Sequence, residues 1–435
     1  MRATLLLSCF ATCFALGCAP VARRPVGSAA QTTAREATAS FALPASHDTG
    51  WMEVFVPADT RSVRAAMVFV DREFDRYMYD DRDWRTMCAR AACAMLRLGL
   101  PNKDAASPDS QRVRNAILGG DSALFTALRI AGERTGHPEL QSVGIVFFGL
   151  SASGNFGLTF AGLHPNRTIG YIRYHSHLRG LRVDTATLTQ IPSLTIVGAK
   201  DAADIAQDSR ALWRTLRVRG APAAYVSHLG QPHASIDGLV EAGKAMRLWT
   251  ESVIDLRTSR ESQALRSIEI SRGWLIGDST AVVTPYSSSE RMPNASWMAD
   301  AGTALAVRQL GGMCAGVGLR EATSLLGPGT RLESEDTAVC HYAVADPKRD
   351  LWLSANSHAS ESGAIAWLAQ GQRAMPVGEL GAAANFFVSS RTDCSTLGAA
   401  RSAWTFFVSA CGAGFGRVAD SSRLRPLAKR LIGEP

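Results

Sequence analysis

The sequence predicts an α/β fold: a doubly wound, mostly parallel sheet, followed by a smaller α+β domain that contains disulfides. Three observations predict it. From about residue 50 to 256, short apolar strand-like runs alternate with helical segments, the pattern of a parallel sheet covered on both faces. The runs Ala65–Val70 and Val143–Phe148 are apolar throughout, as strands buried on both faces must be. Beyond about 311 four cysteines appear, helices shorten, and strand segments come in pairs.

The N-terminus reads as a leader. Arg2 supplies a positive start, Ala3 to Leu16 is apolar, and Gly17-Cys18 follows. The segment Ala15-Leu16-Gly17-Cys18 resembles the lipobox of bacterial lipoproteins, with Ala where Leu is usual. The resemblance implies cleavage before Cys18, diacylglycerol on its thiol, and an extracytoplasmic, lipid-anchored protein. A plain secretory signal cut near Ala19 is the other reading. Residues 19–45 are rich in Ala, Thr, Arg, Pro and Ser and read as a disordered tether.

The first domain is expected over 46–308. Trp51 to Pro57 alternates like an antiparallel edge strand, and Ala65 to Val70 is a buried strand. Asp83 to Leu98 is helical in pattern, and Ser110 to Gly132 holds one or two more helices. Val143 to Phe148 is a strand and Asn155 to Leu163 the helix after it. Strands follow at Gly170 to Tyr174 and Ser193 to Val197, a helix at Ala206 to Gly220, a strand at Tyr225 to Ser227, and a helix at Leu239 to Leu256. The stretch 265–310, with Trp274 and Trp297, is assigned to this domain as an extension. The second domain, 309–435, is expected to hold helices at Glu321 to Leu326, Ser362 to Gln372 and Ser421 to Leu431. Its strand pairs are Val339 to Ala345 with Asp350 to Asn356, and Asn385 to Ser390 with Ala403 to Ala410.

Composition narrows the function classes. The chain has 435 residues, enough for two or three domains; 46% are apolar and 20% charged, so a large core is available. The formal charge of +7 is spread over scattered arginines, without a nucleic-acid motif. No internal apolar run is long enough to span a membrane.

Of nine cysteines, Cys9 and Cys13 lie in the leader and Cys18 at its end. Six remain for an oxidising compartment. Cys88 and Cys93 are five apart on one expected helix, about 140° apart around its axis, so they read as small buried hydrophobes. The other four allow three connectivities. Their spacing resembles that of small lipoprotein domains in which a first helix region is stapled to a strand. Cys314–Cys340 with Cys394–Cys411 is the expected pairing.

The chemistry is expected at Val146-Phe147-Phe148-Gly149-Leu150-Ser151-Ala152-Ser153-Gly154. A strand delivers the chain to a sharp turn and a helix leaves it. Small residues let the two approach, which exposes the Ser151 hydroxyl at the sheet edge, beside backbone N–H groups of a helix N-terminus. Here the sequence resembles the α/β-hydrolase superfamily, over roughly residues 50 to 300. More narrowly it looks like secreted esterases of the polyhydroxybutyrate depolymerase and feruloyl or acetyl-xylan esterase types. The family pattern is Gly-x-Ser-x-Gly, and Ser153 stands in place of its second Gly.

A serine hydroxyl needs a base, and the base needs an orienting group. The family order is Ser, acid, His. The strand-to-loop segment Gly198-Ala199-Lys200-Asp201 matches the family's acid position, with Asp204 and Asp208 as alternatives. His233, in a loop fixed by Pro232, matches the base, with His228 as the alternative. The resemblance implies oxyanion donors at Ala152 and in the 71–73 loop, at Arg72 or Asp71; relatives usually have Gly in that loop and this chain has none. His164, His175 and His177 lack a carboxylate or cysteine at ligand spacing, so they are expected to line the cleft, with no metal and no other cofactor. The expected function is cleavage of a small-molecule or polymer-borne carboxylic ester. The alternative is an inactive surface lipoprotein that keeps the fold.

Overall fold

The computed structural model describes residues 34–42, 49–70, 73–100, 121–178, 181, 184–233, 235–259, 264–277, 283–286, 294–312, 319–335, 339–344, 349–357, 375–376, 383–388, 394–401, 404–412 and 421–432. Cys18 and the leader lie outside them, as does the helix expected at 362–372. No described helix is long and apolar enough to cross a membrane.

Strand β1 (Arg35–Ala42) pairs antiparallel with β2 (Thr49–Val56), placing Arg35 opposite Val56. The end of the expected tether is therefore a strand. Ala39 and Phe41 face the core while Thr38 and Ser40 are exposed. Alanine gives that inward row too little apolar weight to stand out from a linker-like composition.

Next come β3 (Ala65–Val70), α1 (Glu73–Asp80), α2 (Arg82–Ala91) and β4 (Cys93–Gly99). The single helix expected over Asp83 to Leu98 is thus corrected to a helix and a strand. Asp81 caps the helix by accepting from Trp84 N–H at 2.9 Å. Ala92 ends it in the left-handed region, at φ +50°. The apolar run that follows is short and wholly buried, so it carries no period that separates strand from helix. Cys88 and Cys93 consequently sit on different elements, 4.7 Å apart at Cα, and form a disulfide. The reading of them as free core cysteines is overturned.

The chain continues through α3 (Asp121–Thr135), β5 (Gly144–Leu150), α4 (Ser153–Leu163) and β6 (Thr168–Tyr174). Then follow β7 (Ser193–Gly198), α5 (Ala203–Val218), β8 (Ala223–His228) and α6 (Ile236–Arg257). The strands form one eight-stranded sheet in the order β1-β2-β4-β3-β5-β6-β7-β8. Strand β2 runs antiparallel to β4, and β4, β3 and β5 to β8 are parallel. This is a doubly wound, mostly parallel α/β arrangement.

The alternation of side chains builds two cores from one apolar run. Ala65, Met67 and Phe69 pack with Trp84 and Trp249, on the face covered by α2 and α6. Ala66, Val68 and Val70 pack with Leu124, Phe160 and Trp213, on the face covered by α3, α4 and α5.

Beyond α6, strands β9 (Trp274–Gly277), β10 (Val283–Pro285) and β11 (Ala295–Met298) form a three-stranded sheet, followed by α7 (Ala301–Leu310). The Ser296 hydroxyl accepts from Tyr225 N–H at 2.8 Å and lies 2.9 Å from Tyr225 O, tying β11 to β8.

After α8 (Leu319–Leu326) comes a seven-stranded antiparallel sheet. Its strands are β12 (Arg331–Glu335), β13 (Val339–Val344), β14 (Arg349–Ser357), β15 (Met375–Pro376), β16 (Ala383–Val388), β17 (Cys394–Arg401) and β18 (Trp404–Gly412), and α9 (Ser421–Ile432) follows. The order is β12-β13-β14-β18-β17-β16-β15. The strands expected to pair at 385–390 and 403–410 are corrected: β17 lies between them and bonds to both. Its small, polar residues hid it. Apolar side chains of this sheet, such as Leu353 and Val408, join Leu305 and Leu310 of α7 and Leu424 of α9 in the cluster that reaches Trp249.

Cys394 and Cys411 are register partners on β17 and β18 and form a disulfide. Cys340 is also disulfide-bonded, while Cys314 lies outside the described residues. The Cys394–Cys411 bridge closes a loop of sequence separation 17. Replacing both cysteines by Ala is expected to lower unfolding free energy by about 3 kcal/mol. Urea unfolding checks this; an unchanged midpoint would contradict it.

Candidate active site

Strand β5 ends at Leu150 and α4 begins at Ser153, so Ser151 and Ala152 make the whole turn. Ser151 has φ +54°, a left-handed conformation that costs a non-glycine residue roughly 1 kcal/mol. Its N–H donates to Tyr174 O at 2.9 Å, extending the pairing of β5 with β6 one residue into the turn. The strain is thus held by the sheet, and the hydroxyl stands at the C-terminal edge of the parallel strands.

Two glycines permit this approach. A Cβ on Gly149 would overlap the backbone of Ser153 and Gly154, and one on Gly154 would overlap the Ser176 hydroxyl. The close contact falls one residue later than the motif suggests, which explains why Ser153 is tolerated there. Its side chain is buried, and its hydroxyl makes no hydrogen bond among the described residues. Gly149→Ala is expected to cost about 3 kcal/mol, because rigid backbone must move. The melting midpoint checks this, and a shift under about 2 °C would contradict it.

Asp201 lies in the loop after β7 and His233 in the loop after β8. Ala199 N–H donates to His228 O at 2.8 Å, and Lys200 N–H to Gln231 O at 3.0 Å, stitching the loops together. A Cβ on Gly198 would overlap Gln231 O, so glycine is required where they meet. The Asp201 side chain is fully buried although its backbone remains partly accessible. Its Oδ1 accepts from His233 Nδ1 at 2.7 Å, and Oδ2 accepts from Gly198 N–H at 2.9 Å. His175 Nδ1 lies 2.9 Å from that same Oδ2. Burial alone would raise the carboxyl pKa, but His175, the Gly198 N–H and His233 outweigh it and hold it below the ordinary carboxylate value.

His233 Nε2 is 3.2 Å from Ser151 Oγ. Its side chain is 38% exposed, so a reactant can reach the line of three groups from solvent. The Ser235 hydroxyl caps α6 by accepting from Gly238 N–H at 2.9 Å, which fixes the helix start just beyond His233. Ser151, Asp201 and His233 are therefore joined by contacts of 2.7 and 3.2 Å.

The alternatives lie elsewhere. His228 is buried with Nε2 3.2 Å from Glu241 Oε2, and burial pushes its pKa down. Asp204 stands in the first turn of α5, and Asp208 lies further along that helix, near Arg173. Ala152 is buried at the start of α4, and its N–H donates to no backbone carbonyl among the described residues. Arg72 and Asp71, expected in the oxyanion loop, lie outside the described residues.

The three cleft histidines separate. His164 pairs with Asp121 at 2.9 Å, and the His177 backbone carbonyl accepts from Asn155 Nδ2 at 2.8 Å. His175 meets Asp201, a partner that sequence spacing hid because it lies beyond another strand. The ligand atoms of His175, Asp201 and His233 lie within 4.8 Å of one another. A cation there would have to separate Asp201 from both rings. A cavity of about 1050 Å³ opens elsewhere, at the opposite edge of the sheet, lined by Pro57, Arg64 and Arg90 among others.

No family model matches the chain, and no curated protein matches it. Among solved structures, the BES protein from Bacillus cereus is 14% identical, covering 49% of this chain and 94% of that one, with a TM-score of 0.37. A ferulic acid esterase is 9% identical, covering 51% and 98%, with a TM-score of 0.38. An S-formylglutathione hydrolase from Staphylococcus aureus is 13% identical, covering 51% and 97%, with a TM-score of 0.36.

Proposed function

We propose that this α/β-hydrolase-fold protein is a serine hydrolase that cleaves carboxylic esters through an acyl-Ser151 intermediate. The observation that carries the reading is the line Ser151 Oγ to His233 Nε2 to Asp201 Oδ1, built on a strained turn at the sheet edge. In the first step His233 Nε2 takes the Ser151 proton as Oγ attacks the ester carbonyl. Asp201 holds the other ring proton on Nδ1 and stabilises the imidazolium that forms. The tetrahedral oxyanion is received by the Ala152 N–H, with Arg72 N–H as the proposed second donor. Collapse breaks the bond to the alcohol oxygen, which takes the proton from His233. Water, deprotonated by His233, then attacks the acyl group and releases the acid and Ser151.

The test is turnover of p-nitrophenyl esters of graded acyl length. Hydrolysis well above the buffer rate, with a p-nitrophenol burst when deacylation is the slower step, is expected. No turnover for any chain length would contradict the reading.

A further inference from the structure

His175 takes part in none of these steps, yet the molecule spends strain on it. It is wholly buried and has φ +51°, a conformation costly for a side chain with a Cβ. Its N–H donates to Ile196 O at 2.7 Å, so the β7 strand holds that backbone in place. Its ring packs against Tyr174 at a tilt of 35°, with centroids 4.1 Å apart. Gly198 clears room for it, since a Cβ there would come 2.6 Å from His175 Cε1. Its Nε2 is buried without a hydrogen-bond partner among the described residues. The positive φ and the unbonded Nε2 both work against stability. What they achieve is to bring Nδ1 within 2.9 Å of Asp201 Oδ2, the oxygen that does not face His233. The approach is close but not in line with the ring N–H, so the contact is an electrostatic clamp more than an ideal hydrogen bond.

We propose that His175 is a positioning residue: it clamps the far oxygen of Asp201 so that the near oxygen stays aimed at His233. The inference rests on the triad reading above. Without His175 the far oxygen would be held by the Gly198 N–H alone, and the carboxylate would turn more readily about its Cβ–Cγ bond. With His175 against Oδ2 both oxygens are committed, one to each histidine. Rotation would cost the His233 contact and the His175 contact together.

Two variants separate positioning from packing. His175→Gly keeps the backbone conformation and removes the donor. His175→Asn also suits a positive φ and carries an amide nitrogen where the ring carries Nδ1. Active-site titration with a fluorophosphonate counts competent molecules, so kcat is read per folded enzyme. His175→Gly is expected to lower kcat about 10- to 100-fold with KM within about twofold, the scale of losing a close polar contact to a charged group. His175→Asn is expected to recover kcat to within about threefold of the parent. Equal kcat in parent and His175→Gly would overturn the inference and leave the triad reading intact. An Asn variant no better than Gly would also overturn it, since a space-filling role needs no donor. A parent protein that turns over no ester would mark the failure of the triad reading, and this inference would fall with it.

Discussion

Replacing Ser151 by Ala is expected to lower kcat on an activated ester by about 100,000-fold or more while the protein stays folded. The size follows from chemistry. Without Oγ there is no acyl-enzyme, and His233 and Asp201 have no nucleophile to activate; removing the nucleophile of such a unit costs nearly as much as removing the whole unit. What remains is the modest rate that binding and oxyanion donors give to direct attack by water. Stability is expected to change by less than about 1 kcal/mol, because Ala meets the same left-handed penalty as Ser and the hydroxyl's triad contact is a 3.2 Å approach to a partly exposed ring. Steady-state rates and a melting curve on one preparation check both halves. Residual activity within tenfold of the parent would contradict the account.

Asp201→Asn is expected to cost about 10,000-fold in kcat. The amide preserves shape, but its NH2 group facing His233 would place the ring proton on Nε2, where it blocks the Ser151 proton transfer. This chain adds a second consequence. The carboxylate faces two histidines and a backbone N–H, and its pKa is held below the ordinary value. The sign follows: the stability from its ionised form is fully present above the ordinary carboxylate pKa and is lost as pH falls through the depressed folded value. A side-chain amide at position 201 cannot titrate, so the variant should lose less stability than the parent on acidification. Rate measurements near neutrality, with unfolding followed at neutral pH and again at about pH 3, below the ordinary carboxylate range, check the two effects. A variant with parental kcat, or with a steeper acid loss than the parent, would contradict the argument.

Much of this was legible in the sequence, and the reasons are local. The strand Ala65–Val70 and the elbow at Ser151 announce themselves because a wholly apolar run and a cluster of small residues have few other uses. The structure also brings together Ser151, Asp201 and His233, the three residues that the expected chain order singles out, each in a loop that follows a strand of the sheet. Other features were hidden. Strand β4 follows a helix across one left-handed alanine, Ala92, and no glycine marks the stop. The disulfide between Cys88 and Cys93 was concealed by the same misplacement. His175 looked like one of three unpartnered histidines, because its partner is brought near only when β6 pairs with β7. Strand β17, built from Ser, Thr, Gly and Ala around one Leu, gave too weak an apolar alternation to be separated from a loop.

A Ser151 hydroxyl activated by His233 reacts with electrophiles that other serines resist. The most direct measurement is labelling of the purified protein with a fluorophosphonate probe, followed by mapping of the modified peptide by mass spectrometry. One phosphonyl group per chain is expected, on Ser151, with labelling abolished in Ser151→Ala and strongly slowed in His233→Ala. Failure to label, or equal labelling of the Ser151→Ala protein, would contradict it.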